Sequence, residues 1–280
     1  MRRNRRSQCL FGMILLTMAT TVAVRAQTPA PTPTLEREFF KNILSDQKAI
    51  WTAPFHLERS DTKWVVPASI GLMALITTDR ITGDEIFEAN RQVNASRGIS
   101  YAGSVYGLGA VAGTFYLIGR KNNDYRARET GLLSAEALVN SVIAGAALKG
   151  ITQRARPVDG HERSEFFDGG SSFPSGHSTQ AWAVATVIAH EYKDRPAVQI
   201  AAYGIASAVS VARFTGHKHY ISDVLAGSAL GFGIGKFVYH AHHREMLKED
   251  EFSQVNKWPL ITPQFNRQAR QYGVALTWNF

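Results

Sequence analysis

Cysteine is nearly missing from this chain of 280 residues: the single one, Cys9, lies within the first 26 positions. Beyond that segment no disulfide and no thiolate metal site can form, so neither holds the fold together. Acid is missing from the same segment, which holds five arginines, Arg2, Arg3, Arg5, Arg6 and Arg25. The formal charge of +8 therefore belongs mostly to the leader, and the remainder sets 26 Lys+Arg against 23 Asp+Glu, a balance of only +3. So small an excess does not support nucleic-acid binding. Strand signals are scarce before the last twenty residues. What is abundant is apolar residue, 45% of the chain with 10% aromatic, which excludes a disordered chain. A mean hydropathy of −0.15 argues against a chain that is mostly lipid-facing.

Residues 1–26 read as a secretory signal peptide: a basic start, an apolar run from Cys9 to Val24, and small residues at Val24 and Ala26 before cleavage at Gln27. Residues 27–34 form a Pro/Thr-rich linker. Residues 35–63 form an N-terminal helical segment, in which Phe39, Phe40, Ile43, Leu44, Ile50 and Trp51 recur at helical spacing. The helical core is expected over 64–245, with apolar runs at Trp64–Thr78, Tyr101–Gly119, Leu132–Leu148, Ser178–Ala189, Ala197–Ala212 and Val224–Gly235. Residues 246–280 form a C-terminal extension in which Gln271–Phe280 alternates and can pair with Leu260–Phe265 as a short β-hairpin. The expected fold is all-α, a bundle of about six core helices.

Several of these runs are shorter than the roughly 20 residues a membrane span needs. Glu136 and Asn140 would be costly facing lipid. If every run crossed after a cleaved leader, the basic loop Arg120–Arg128 would lie outside, against the usual charge bias. The reading is an exported, periplasmic or envelope-associated helical domain with peripheral membrane contact, an integral arrangement being left open.

Three patterns between the helical runs carry chemistry. Lys149 is followed after six residues by Arg156-Pro157; Pro174 to His177 reads PSGH; and Arg213 is followed by His219 and then Asp223. Two helices separate the loops, so an up-down layout brings them to one end of the bundle. Lys149, Arg156 and Arg213 would repel one another unless a polyanion sat between them, and a phosphate dianion fits. Ser175 and Gly176 let backbone N–H groups approach closely at a helix start, where the dipole also favours an anion. Asp223, one helical turn after His219, can fix that imidazole's tautomer and leave the other nitrogen free to attack phosphorus. His177 can give a proton to the leaving oxygen.

Taken together, Lys149 to Asp223 resembles the superfamily of type-2 phosphatidic acid phosphatases, bacterial acid phosphatases and vanadium haloperoxidases. The resemblance extends loosely over residues 64–243. It implies a helical bundle with the site at one end and a phosphatase acting on phosphate monoesters or diphosphates, lipid or soluble. It further implies phosphate held by Lys149, Arg156 and Arg213 with Ser175 and Gly176, a phosphohistidine at His219, Asp223 as its orienter, and His177 as acid and then base. No metal and no cofactor enters, and vanadate would mimic the transition state. Ala212 stands where the family usually has serine, which removes one local hydrogen bond. His217 does not share a helical face with Asp223 and is assigned at most a substrate-contact or structural role. The glycines Gly227, Gly231 and Gly235 read as a helix–helix seam, and His240, His242 and His243 as a basic helix end in preference to a metal cluster. The rivals are a vanadium-dependent haloperoxidase and a non-enzymatic envelope scaffold.

Overall fold

The structure, a computed structural model, describes residues 35–86, 96, 98–101, 103–157, 164–253, 260–266 and 271–277. The signal peptide and linker read from the sequence lie outside these residues. Helix α1 spans Leu35–Thr52, a 3-10 turn Ala53–His56, α2 Arg59–Ile86, α3 Val105–Asn122, α4 Tyr125–Thr152, α5 Gly176–Glu191, α6 Pro196–Thr215 and α7 Ile221–Ser253. Strands β1 (Leu260–Asn266) and β2 (Gln271–Thr277) pair antiparallel, Leu260 opposite Thr277, so the alternating end forms the expected hairpin. Helix α7 runs on past residue 245, where the sequence reading ended the core.

Local chemistry sets the helix ends. Asp124 caps α4 by accepting from the Ala127 amide, and Ser104 caps α3 by accepting from Gly107. Asn123 and Gln153 take left-handed backbone at the C-termini of α3 and α4. Pro196 opens α6, where a missing N–H is harmless. Short connections after α3, α5 and α6 make sequence neighbours antiparallel. The C-terminal ends of α4 and α6 therefore meet the N-terminal ends of α5 and α7, as the site requires.

The core is built from small side chains. Leu133, Ala137, Ala144, Ala183, Val187, Ile234 and Val238 form one cluster. Leu108, Leu138, Ala181, Val184, Ala206 and Val209 form a second. Helices α5 and α7 come closest along the glycine stripe: a Cβ on Gly227 would lie 2.6 Å from the Ser175 carbonyl oxygen, and one on Gly231 2.1 Å from that of Thr179. The stripe is the seam that its spacing predicted.

Polarity is arranged inside-out. On α4, Glu129, Thr130, Ser134, Glu136, Asn140 and Ser141 are buried, whereas Ile143 and Ile151 are exposed. On α2, the stretch from Trp64 to Thr78 is uncharged and most of its side chains are exposed, Trp64 at 73% and Met73 at 68%. Helix α6 presents Ile200, Ile205 and Val211 outward. Among the described residues three helices, Tyr125–Thr152, Pro196–Thr215 and Ile221–His243, are long and apolar enough to cross a membrane.

Substituting Gly231→Ala should force α5 and α7 apart and lower unfolding stability by about 1–3 kcal/mol. Thermal unfolding of the purified protein measures this, and an unchanged midpoint would contradict the close seam.

Candidate active site

The three patterns meet at one end of the bundle. Lys149 stands in the last turn of α4, Arg156 on the loop after it, Ser175 and His177 at the head of α5, Arg213 in the last turn of α6, and Asp223 in the first turn of α7. Ser171 joins two of the cations: its carbonyl accepts from Lys149 Nζ at 2.5 Å and its hydroxyl from Arg156 Nη2 at 3.1 Å. Arg213 Nη1 donates to Ser100 Oγ at 3.0 Å.

The loop from 153 to 174 is held by α4's own end. The Phe167 amide donates to Thr152 O, Asp168 and Gly170 to Gln153 O, and Ser172 to Arg154 O. Gly170 is required there, because a Cβ would lie 2.1 Å from the Arg154 carbonyl oxygen. This places Ser171 and Ser172 against the cations and Asp223.

Asp223 is fully buried, and its water is replaced by donors. Arg154 Nη1 donates to Oδ1 at 2.6 Å; the Tyr220 amide (3.0 Å) and the Ser172 hydroxyl donate to Oδ2. His219 Nδ1 lies 3.6 Å from Oδ2 and 3.4 Å from Ser172 Oγ, so Ser172 bridges a contact that the sequence reading gave to Asp223 alone. Arg154, itself fully buried, reaches Asp79 Oδ2 at 2.8 Å with its other nitrogen and lies under the rings of Phe166 and Tyr220. Ser222 closes the group by donating from its amide to Asp79 Oδ1 and from its hydroxyl to Oδ2.

Arg154, Asp79, Ser172 and Ser222 were not singled out from the sequence. The only local signal was a second arginine two residues before Arg156. One sequence-predicted donor is already committed: the Ser175 amide donates to the Asp223 carbonyl at 2.9 Å, tying α5 to α7. An anion here would be left the Ser175 hydroxyl and the amides that follow it.

Burial and the charges of Arg213, His219, Lys149 and Arg156 together push His177 down to about 4, so all four lie within electrostatic reach of its ring. Burial also lowers His219 to about 4, against the opposing pull of Asp223. Both imidazoles are neutral at pH 7. A neutral His219 has a free nitrogen lone pair. His177 is held neutral partly by cations that a bound dianion would cancel, so ligand binding should raise its proton affinity.

A cavity of about 920 Å³ opens beside His177 and Arg213. Ser100, Tyr101, Ser104, Tyr106, Gly107, Ala212 and His217 share its wall, which joins a polar end to the α3 and α6 surfaces. His217 thus lies at the cavity, apart from the Asp223 donors.

Residues 130–247, less than half of the chain, match the PAP2 superfamily. The lipid A 1-phosphatase of Porphyromonas gingivalis is 40% identical over 70 residues, 25% of this chain and 16% of that protein. A PA-phosphatase related-family protein of Dictyostelium discoideum is 27% identical over 171 residues, 55% of this chain and 61% of that protein. The chain therefore spans less than two thirds of either relative. Among solved structures, the transmembrane PAP2-type phosphatidylglycerolphosphate phosphatase of Bacillus subtilis aligns with a TM-score of 0.44 at 23% identity, over 74% of this chain and 95% of that one. LpxE of Aquifex aeolicus aligns with a TM-score of 0.42 at 18% identity, over 59% and 93%.

Two outcomes follow from this geometry. Titrating the histidine ring signals by NMR should find His177 well below 6.5 in the free protein and displaced upward by saturating phosphate; an unmoved titration would separate His177 from the anion site. Arg154→Met should leave Asp79 and Asp223 buried without their cation and destabilise the fold by about 3–5 kcal/mol, read by denaturant unfolding. A variant as stable as the parent would contradict the buried network.

Proposed function

We propose that the protein is a phosphatase that hydrolyses a phosphate ester through a phosphohistidine at His219, and that its substrate is an amphipathic lipid phosphate. One observation carries the reading: Arg213 and a neutral His177, which lies within electrostatic reach of Lys149, Arg156 and His219, line a cavity whose wall turns from charged to apolar. Lys149, Arg156 and Arg213 hold the phosphoryl oxygens. The His219 nitrogen remote from Asp223 attacks phosphorus while the P–O bond to the alcohol breaks. His177, protonated once the dianion is bound, gives its proton to the departing oxygen. It then takes a proton from water, whose oxygen attacks the phosphohistidine; phosphate leaves and His219 is restored. Asp223, oriented by Arg154 and Ser172, steadies the imidazolium that forms.

The preference for a lipid rests on polarity. The cavity lies between helices whose outer faces are apolar, so an acyl or prenyl chain can pass from a bilayer to the wall formed by Tyr101, Tyr106 and Ala212. The same surfaces support membrane embedding. Glu136 and Asn140, the residues that counted against lipid contact, are turned fully inward.

Comparing para-nitrophenyl phosphate, phosphatidic acid and undecaprenyl diphosphate tests the substrate class, and kcat/KM should be at least about tenfold higher for a lipid. His219→Ala should lose about a thousandfold or more in turnover, whereas His217→Ala should stay within about threefold. Vanadate should compete with substrate. Retained turnover in His219→Ala would overturn the mechanism, and equal efficiency on the soluble ester would overturn the lipid preference. Alkaline carbonate extraction should leave the chain in the membrane pellet.

A further inference from the structure

Far from the anion site, the interior holds a second polar group. His242 lies on α7 nineteen residues beyond Asp223, about 28 Å along the helix axis. Its Nε2 is 2.9 Å from Asp46 Oδ1 on α1 and 3.0 Å from Glu136 Oε1 on α4. All three residues are buried, Glu136 at 0% exposure and Asp46 at 2%. One ligand atom from each lies within 4.8 Å of the others.

With both carboxyls ionised, hydrogen bonding alone does not satisfy this group. A ring nitrogen carries one proton at most, and this one faces two carboxylate oxygens. Glu136 Oε2 has no hydrogen-bond partner, although no solvent reaches it. Among the described residues no lysine or arginine pairs with Asp46 or Glu136, so two buried carboxylates share a single imidazole. Burying that charge uncompensated is costly. The neighbouring set of Glu129, Glu191 and His243 differs: Arg126 lies against Glu191, its Nε 3.9 Å from Oε1, and supplies the missing positive charge.

We propose that Asp46, Glu136 and His242 bind one divalent ion of the zinc class, which ties α1 to α4 and α7. One imidazole nitrogen and two carboxylate oxygens form a donor set suited to such an ion, and two positive charges balance both carboxylates with the imidazole neutral. Ligands at about 2.0–2.1 Å from a tetrahedral ion lie about 3.3 Å apart, so donors at 2.9 and 3.0 Å need to open only slightly. The ligands are also oriented from behind. Asn140 Nδ2 donates to the other Asp46 oxygen at 2.8 Å, and Gln47 Nε2 donates to Asn140 Oδ1 at 2.8 Å, leaving Asp46 Oδ1 aimed at the centre. His242 Nδ1 lacks a partner with or without an ion and does not discriminate. The ion's place at the opposite end from His219 makes it a structural clamp, separate from phosphate chemistry.

The full-length protein, stripped with a chelator and dialysed, is titrated with Zn²⁺ and separately with Co²⁺. One equivalent of Zn²⁺ should remain after gel filtration and raise the thermal midpoint, and Co²⁺ should give the visible absorption of a low-coordinate site. Glu136→Gln, which keeps the volume and removes the charge, should weaken binding at least tenfold, and His242→Ala should abolish the cobalt bands. Absence of stoichiometric metal and of cobalt absorption in the parent protein would overturn the proposal and leave an imidazole shared by two carboxylates. Binding unchanged in both variants would overturn it equally. The wild-type readings stand even if a variant fails to fold, and none depends on phosphatase activity.

Discussion

A carboxylate cut off from water must find donors in the protein, and Asp223 finds them in three segments at once. Arg154 comes from the loop after α4, Ser172 from the approach to α5, the Tyr220 amide from the turn before α7, and His219 from the same turn. Satisfying one buried charge therefore fixes the relative positions of the loops that carry the cations. Arg154 is as buried as its partner and needs a second anion, which Asp79 supplies from α2. The pair is not an economical source of stability, since burying charges costs several kcal/mol per ion before any return. Its value is geometric: an imidazole with a preset orientation, within electrostatic reach of Lys149 and Arg213.

The rest of the bundle follows the same inversion of polarity. Serine, asparagine and carboxylate side chains fill the interior between small apolar residues, and larger aliphatic and aromatic groups face outward. Alanine and glycine at the helix contacts allow backbones close enough for short polar side chains to reach one another, as along the α5–α7 seam. The apolar exterior, the cavity wall and the buried Asp46–Glu136–His242 group are consequences of one pattern.

Much of the site was legible because its chemistry is local. PSGH, the lysine–arginine spacing and the four-residue step from His219 to Asp223 each sit within a turn or a loop, and the alternation at the end of the chain marked its hairpin. The missing part depends on distance in sequence. Asp79 reaches Ser222 across 143 positions and Arg154 reaches Asp223 across 69, and no periodicity signals such pairs. The same holds for His242, read as part of a basic helix end, whose partners lie on α1 and α4. Glu136 and Asn140 mark another limit, because composition shows that a helix holds polar residues without showing that they face inward. Ser175 kept its position at the helix head, but its amide turned out to serve the fold.

In the proposed mechanism His219 itself carries the phosphoryl group. Acid-stable and acid-labile adducts differ in chemistry, so the direct measurement is rapid mixing with substrate, an alkaline quench that preserves phosphohistidine, and peptide mass spectrometry. His177→Ala with para-nitrophenyl phosphate, whose leaving group departs without a proton, should slow hydrolysis of the adduct more than its formation. The mechanism predicts a phosphoryl group on the peptide containing His219 and on that ring. Its appearance on a different residue, or turnover with no adduct at any time, would contradict it.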